Sequence, residues 1–506
     1  MDRSENHSSD RSALERALSV VTDVKPGEGV TAVLLTVTVF FLLVAYYVIK
    51  PVREGLILAM EGGAEKKSYA SAAIAITLLL AVPAYSKVAN KISKHKLVVG
   101  VSLFFASHLV VFWLLSHTPV RNQLGLVFFT WVGVFNMMVV AQFWSFANDV
   151  YTQEQGKRLF AIVGIGASLG SAAGAYITKF LKNTIGLGVF ELLLVAGGFL
   201  VLCAFLTHTV YLREKAHGPA AGKRGRADGQ ESAEGQESEA GKEAQKKQAL
   251  AETGEGGFTL VRKNKYLLLL AAFSLVFTIV DTNGEFMLST LVSERAKAAA
   301  AAQHITGGEL EKFTEGFIAS YYGGFYLWVN LIGLVLQTFL VSRIVKLGGL
   351  KLAFFVYPFV ALGSSLNNVF TPMLFGIDRL SAFRVTKTTE NAVDYSLNNT
   401  VRNMLWLPTT TEIKYKAKQA VDTFFVRMGD VASAGLVFIF SAKMALPVQS
   451  FSMINVVLVV LWLLIAVGIV RENSRLSEEK KRQEGERAPS VANDASVDEG
   501  KHASGA

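Results

Sequence analysis

Apolar stretches of about 20 residues recur along the chain between short polar turns, the length a helix needs to cross a bilayer. Before residue 216 they fall near Val30 to Ile49, Tyr69 to Val88, Leu97 to Leu115, Leu124 to Phe146, Leu159 to Phe180 and Phe190 to Leu212. After residue 257 they fall near Tyr266 to Leu288, Phe317 to Val341, Leu352 to Val369, Pro372 to Leu397, Ala420 to Phe440 and Phe451 to Val470. This pattern predicts an all-α membrane protein with twelve transmembrane helices. The tenth has the weakest hydropathy, because residues 378 to 402 carry many polar groups.

The run from Ala216 to Gly257 is rich in Gly, Ala, Glu, Gln and Lys and has no Phe, Tyr or Trp. It buries too little apolar surface to offset chain entropy, so a solvated, disordered tether is expected. The chain then divides into a polar tail at 1–28, a six-helix half at 29–215, the linker at 216–257, a second six-helix half at 258–471 and a charged, disordered tail at 472–506.

Composition agrees with a polytopic membrane protein whose main partner is the lipid bilayer: of 506 residues, 51% are hydrophobic and 18% charged, with a mean hydropathy of +0.37. A formal charge of +9 suggests nucleic acid at first sight. The Lys and Arg residues cluster in loops and tails, where they set membrane topology, so no nucleic-acid partner is expected. Cys203 is the single cysteine and lies in an apolar segment, which excludes an intrachain disulfide and a cysteine metal site. Residues Met1 to Glu28 lack the apolar core of a secretory signal, leaving the first span to target the chain. The eight histidines show no metal-ligand spacing and no Walker or protease motif occurs, so neither a cofactor nor an enzyme is expected. The sequons at Asn6 and Asn398 lie in the polar tail and at a membrane span, where neither is convincing.

Basic residues flank the spans unevenly. Lys87, Lys91, Lys94 and Lys96 follow span two; Arg343, Lys346 and Lys351 follow span eight; Lys414, Lys416 and Lys418 follow span ten. These loops, the linker and both termini share one side, which the positive-inside rule makes cytoplasmic. Lys66, Lys67, Lys179, Lys182, Arg295 and Lys297 fall on the other side.

The halves echo each other. Ser86-Lys87-Val88-Ala89-Asn90 after span two matches Ser342-Arg343-Ile344-Val345-Lys346 after span eight, and Lys157, Phe160 and Gly174 match Lys418, Val421 and Gly435 at one constant offset. Parallel six-helix repeats of this kind are major-facilitator-like, with substrate bound near the midplane between halves. Chance similarity between apolar helices is the alternative. Within span five, Gly166, Gly170 and Gly174 form a small-residue face for close helix packing; no strand precedes them to make a phosphate-binding turn.

Charges inside spans are costly unless paired or facing a water-filled cavity, so they mark candidate chemistry. Lys50, Arg53 and Glu54 end span one, with Lys50 and Arg53 on one helical face, a place for an anionic visitor or an interfacial anchor. Asp281 and Glu285 in span seven supply the opposite sign and are expected to pair with Lys50 and Arg53 as a gate, or to bind a proton or cation. In span ten, Arg384, Lys387, Asn391, Asp394 or Tyr395, Asn398 and Arg402 make a polar stripe that faces protein or water, or else lies on the membrane surface. Arg427 and Asp430 in span eleven are three apart and positioned to neutralise each other.

At Arg53-Glu54-Gly55-Leu56, Gln142-Phe143-Trp144-Ser145-Phe146-Ala147-Asn148, Tyr395-Ser396-Leu397 through Pro408, and Lys414 through Asp422, the chain resembles the ATP/ADP antiporter family of plastids and intracellular bacteria. The resemblance implies a twelve-helix, major-facilitator-like exchanger of nucleotides. It also implies that Arg53 is the cation ending helix one, Glu54 its acidic neighbour, Asp281 the intramembrane acid of helix seven and Arg402 the basic residue of the Tyr-Ser-Leu block. The chain departs from the family pattern at Val132, where an acid is expected, and at Asp430, where a lysine is expected.

The leading expectation is therefore a monomeric secondary transporter of the bacterial inner membrane, both termini cytoplasmic, moving a small anionic substrate such as a nucleotide by alternating access. Lys50, Arg53, Arg384, Lys387 and Arg402 would offer positive charge to its phosphates, with Asp281, Glu285 and Asp394 holding those cations when the site is empty. A proton- or cation-coupled carrier using Asp281 or Glu285 is the alternative. A non-transporting sensor or scaffold working through the linker and tail is the third.

Overall fold

The computed structural model describes residues 12–20, 22–89, 92–217, 257–409 and 411–502. The expected linker, apart from its ends, and the side chains of Lys87, Lys91, Lys94, Lys157 and Lys414 lie outside the described residues. Every regular element described is helical. A short α1 (Ala13–Leu18) precedes α2 (Gly29–Leu58), α3 (Gly63–Ala89), α4 (Lys94–Leu115), α5 (Leu124–Val150), α6 (Gln153–Phe180) and α7 (Glu191–His217). After the linker come α8 (Gly257–Lys263), α9 (Lys265–Ala302), α10 (Gly308–Val335), α11 (Val341–Phe375), α12 (Arg379–Val393), α13 (Asn399–Met404), α14 (Thr411–Gln419), α15 (Val426–Val437) and α16 (Gln449–His502).

Nine stretches among the described residues are long and apolar enough to cross a membrane, one of them, Gly308–Phe370, running through two of the expected spans. The two expected spans missing from these nine are the second and the tenth. The second is helical from Gly63, well before Tyr69, its first turns carry Glu65, Lys66 and Lys67, and its side chains from residue 79 onward lie outside the described residues. The tenth begins at Arg379 rather than Pro372, because the Asp378 side chain caps the helix by accepting from the Ser381 amide at 3.1 Å.

Apolar packing gathers in three places. One cluster runs from Val24 to Val210 along the helices before the linker, with Ala319 joining it, and a second from Val261 to Ile469 along those after it. The third joins the two sets, bringing Tyr47, Ile57, Phe129 and Ala175 against Phe286, Leu288, Tyr322 and Phe325.

The glycine face of α6 lies directly on α2. A β-carbon at Gly166 would stand 2.6 Å from the Thr36 carbonyl oxygen and one at Gly174 2.5 Å from that of Val44, while one at Gly170 would collide with that of Phe40. Partners four residues apart on α2 thus receive glycines four apart on α6, and the two backbones touch. Gly435, the echo of Gly174, faces open space; in the later helices it is Gly429 that meets α9, at Thr278 and Leu275.

Within α2, Pro51 has no amide to offer the Tyr47 carbonyl. The Thr178 hydroxyl of α6 lies 3.3 Å from that carbonyl and shares its proton between it and the Gly174 carbonyl of its own helix at 3.0 Å.

Polar contacts between the two sets of helices collect at the end of the bundle bearing the turns at 59–62, 116–123 and 303–307. There Arg121 pairs with buried Glu315 at 2.5 Å, Ser293 donates to the Leu58 carbonyl at 3.1 Å, and Ser441 donates to Glu65 at 3.0 Å. At the other end α16 continues as helix to His502, through residues expected to be disordered. Arg475 reaches Glu472 at 3.0 Å and Glu479 at 3.9 Å, the three- and four-residue pairs that support a solvated helix.

Candidate functional site

Glu54, near the end of α2, is fully buried, with Arg53 Nε at 3.1 Å and Lys67 Nζ, from the second turn of α3, at 2.8 Å. One turn earlier Lys50 is only 9% exposed, its ammonium 3.9 Å from the centre of the Tyr326 ring and 5.4 Å from that of Tyr47. Desolvated ammonium groups bind aromatic faces well, so Lys50 is held without a carboxylate. Gly55 makes the crowding possible, since a β-carbon there would stand 2.7 Å from the Glu315 carbonyl oxygen of α10.

Facing this cluster, α9 presents Asp281 and Glu285 and α12 presents Lys387, which is 1% exposed. The Lys387 ammonium sits 2.7 Å from Asp281, 3.5 Å from Glu390 and 3.9 Å from Glu285. Lys67 reaches across from α3 to Glu285 at 3.4 Å and donates to Ser289 at 2.9 Å, while Asn391 donates to the other Glu285 oxygen at 3.4 Å. Removing so many charges from water is expensive, and only mutual pairing sustains it.

The remaining wall comes from α12 and α15. Asp394 opens a π-helical turn, Asp394–Asn398, and accepts from Asn398 Nδ2 at 2.6 Å. Arg427 pairs with Asp430 at 3.1 Å, in keeping with their three-residue spacing, and Thr282 donates to Asp430 at 3.2 Å. These groups enclose a cavity of about 400 Å³. Tyr46, Phe129, Tyr326 and Tyr395 line it as rings, Asn136 and Asn391 as amides, and Lys50, Arg53, Lys67, Asp281, Glu285, Asp394, Arg427 and Asp430 as charges. Its size falls in the ~300–1,000 Å³ range of small-molecule sites.

Several expected placements need correction. Asp281 and Glu285 do not pair with Lys50 and Arg53; their cations are Lys387 and Lys67. The reason is local, since Arg53 is already held by its neighbour Glu54 and Lys50 by aromatic rings. Among the described residues Asp394 holds no cation at ion-pairing distance and accepts from the Asn398 amide. Glu54 and Lys387 stand behind the cavity wall, paired to residues that line it.

The polar stripe also breaks at both ends. Arg384 lies outside the lining, its guanidinium 5.2 Å from the Tyr321 ring, and Arg402 lies outside it too, 3.4 Å from Asp422 and 5.1 Å from the Phe277 ring. A π turn inserts an extra residue into the helix and rotates every later position, so the regular spacing that joined Arg402 to Lys387 no longer holds.

Lys67 falls among the loop charges in the hydropathy pattern, yet it is buried and joins α2, α3 and α9. Its signal is the polar start of an apolar run, which a hydropathy window trims away.

Residues 35–383 match the model of the Major Facilitator Superfamily. Among curated relatives, ADP,ATP carrier protein 1 of Chlamydia pneumoniae is 22% identical over 69% of this chain and 68% of its own length. ADP,ATP carrier protein 5 of Rickettsia conorii is 22% identical over 66% of this chain and 65% of its own. Among solved structures, the nucleoside transporter NupG superposes with a TM-score of 0.54 at 13% identity, covering 87% of this chain and 98% of that one. A peptide transporter POT in complex with sulfate gives 0.54 at 14% identity, covering 92% and 99%.

Proposed function

The chain belongs to the Major Facilitator Superfamily, and from that premise we propose that it exchanges phosphorylated anionic metabolites across a bacterial inner membrane by alternating access. Nucleotides, which the ADP,ATP carriers it resembles are named for, are the first candidates. The observation that carries this reading is the cavity in which Lys50, Arg53 and Lys67 meet Asp281 and Glu285 between helices from before and after the linker.

In this reading α2 to α7 are six spans at 29–215, and α9, α10, α11, α12 with α13, α15 and the first part of α16 are another six at 258–471, with 1–28, 216–257 and 472–506 as cytoplasmic segments. The basic flanks of the spans support that orientation. The pairs Arg121–Glu315 and Lys67–Glu285 then close the outer side and leave the cavity reachable from the cytoplasm. A phosphate arriving at Lys50 draws Lys67 away from Glu285, which keeps Lys387 and Asn391. Substrate binding thereby loosens the bridge between the halves, whereas the empty carrier stays locked, so transport proceeds as exchange.

The test is counter-exchange in proteoliposomes loaded with one nucleotide and supplied outside with another, labelled one. Exchange that is lost in Lys50→Gln, with an unchanged unfolding curve, supports the reading; absence of exchange for every phosphorylated metabolite tried overturns it. Asp394 favours a second reading, proton-coupled uptake, because it lines the cavity with no cation within ion-pairing distance among the described residues. Uptake driven by a pH gradient without counter-substrate would select that reading.

A further inference from the structure

Among the described residues, two charged side chains line the cavity without an oppositely charged group at ion-pairing distance: Lys50 and Asp394. All the others are matched, Arg53 and Lys67 by Glu54, Glu285 by Lys67, Asp281 by Lys387 and Arg427 by Asp430. A charge kept from water and left unmatched is costly, so these two are the places where a ligand gains most.

Lys50 calls for one anionic group; its neighbour Lys67 is held by Glu54 at 2.8 Å and can turn toward that group only by giving up its longer contact with Glu285 at 3.4 Å. Asp394, whose partner is the Asn398 amide, calls for an N–H donor or a cation. A second or third phosphate would have to take Arg53 and Lys67 from fully buried Glu54, or Lys387 from Asp281, and would leave a carboxylate stranded out of water. The site therefore limits the negative charge of what it accepts. Tyr326 and Phe129 already carry Lys50 and Arg53 on their rings, while Tyr46 and Tyr395 add flat faces of the kind on which a nucleobase stacks.

Resting on the proposal that the cargo is phosphorylated, we infer that the preferred substrate is a singly phosphorylated nucleoside with an exocyclic amine, its phosphate at Lys50 and its amine donating to Asp394. Nucleoside di- and triphosphates are disfavoured. The relevant ligand chemistry is one anionic group and one donor in a single cavity, a pairing that specifies the ligand more tightly than positive charge alone.

The test is calorimetric binding and thermal shift on the purified full-length protein with AMP, ADP, ATP and purine riboside 5′-monophosphate, which lacks the amine. AMP should bind roughly tenfold more tightly than ADP or the amine-free analogue. Asp394→Ala, which removes the acceptor, should bring AMP and the analogue to similar affinity. ADP or ATP binding as tightly as AMP overturns the charge limit while leaving phosphorylated cargo standing. Equal affinity of the wild type for AMP and the analogue overturns the role of Asp394. Binding of none of the four overturns both this inference and the proposal on which it rests.

Discussion

Gly284 and Lys387 meet where a side chain would not fit: a β-carbon on the glycine would stand 2.9 Å from the lysine ammonium. The glycine lies between Asp281 and Glu285 on α9, so its bare backbone is what admits Lys387 to both carboxylates. Gly284→Ala should push the ammonium off Asp281 and cost about 1–3 kcal/mol, as overpacking does. Gly284→Val should cost more. Thermal unfolding in detergent reads both, and a Gly284→Ala protein as stable as the parent would remove this role.

Lys387 and Lys50 should behave differently when neutralised. Lys387→Met leaves partly exposed Asp281 and Glu390 without their buried cation, and the cost should fall below the ~3–5 kcal/mol of breaking a fully buried pair from one side. Lys50→Met removes a charge held on tyrosine rings and strands no carboxylate. The expected order is a large drop in melting temperature for Lys387→Met and a small one for Lys50→Met. Adding Asp281→Asn to Lys387→Met should recover part of the loss.

Glu285→Gln removes the charged end of the bridge from α3 to α9 and leaves the Lys67–Ser289 hydrogen bond, while Glu54 keeps Lys67 in place. In the exchange reading, the empty carrier then reorients more easily. Uptake into proteoliposomes lacking internal substrate should rise relative to exchange. An unchanged ratio would show that the bridge does not hold the empty carrier.

Outside the membrane, Glu15 ties the N-terminal turn to the start of α2. Its carboxylate accepts from the amides of Ser12 at 2.8 Å and Gly27 at 2.6 Å, and these hydrogen bonds, Ser12 first, hold its pKa below the usual carboxylate value. A carboxyl depressed in the folded state adds stability above its unfolded pKa, and that stability is lost as pH falls through the folded one. Amide protection factors, exchange rates corrected for the intrinsic effect of pH, should therefore fall at the start of α2 as pH drops below about 4. Glu15→Gln should show the lowered protection already at neutral pH.

The long apolar runs identify most helices because burial in lipid demands length and hydropathy, both written in the sequence. The glycines of α6 are equally legible, since spacing alone sets them on one face. Lys50, Asp281 and Glu285 stand out as charges where charges are expensive, and the structure brings all three to one cavity. Which cation meets which anion is not legible. That choice depends on the depth and rotation of α3 relative to α9, and it brings in Lys67, a residue whose sequence position reads as a loop charge. Arg402 is displaced for a different reason: the π turn at Asp394–Asn398 breaks the spacing on which the stripe depends.

The proline in α2 has a consequence for how that helix is seated. Because Pro51 leaves the Tyr47 carbonyl without an amide, that carbonyl is open to the Thr178 hydroxyl, which α6 shares between it and its own Gly174 carbonyl. The segment before the proline is pressed against the α6 glycines, and the segment beyond it, which carries Arg53 and Glu54, rests at Gly55 on the α10 backbone. A single polypeptide rod thus has two footings, one on each set of helices, with the proline joint between them.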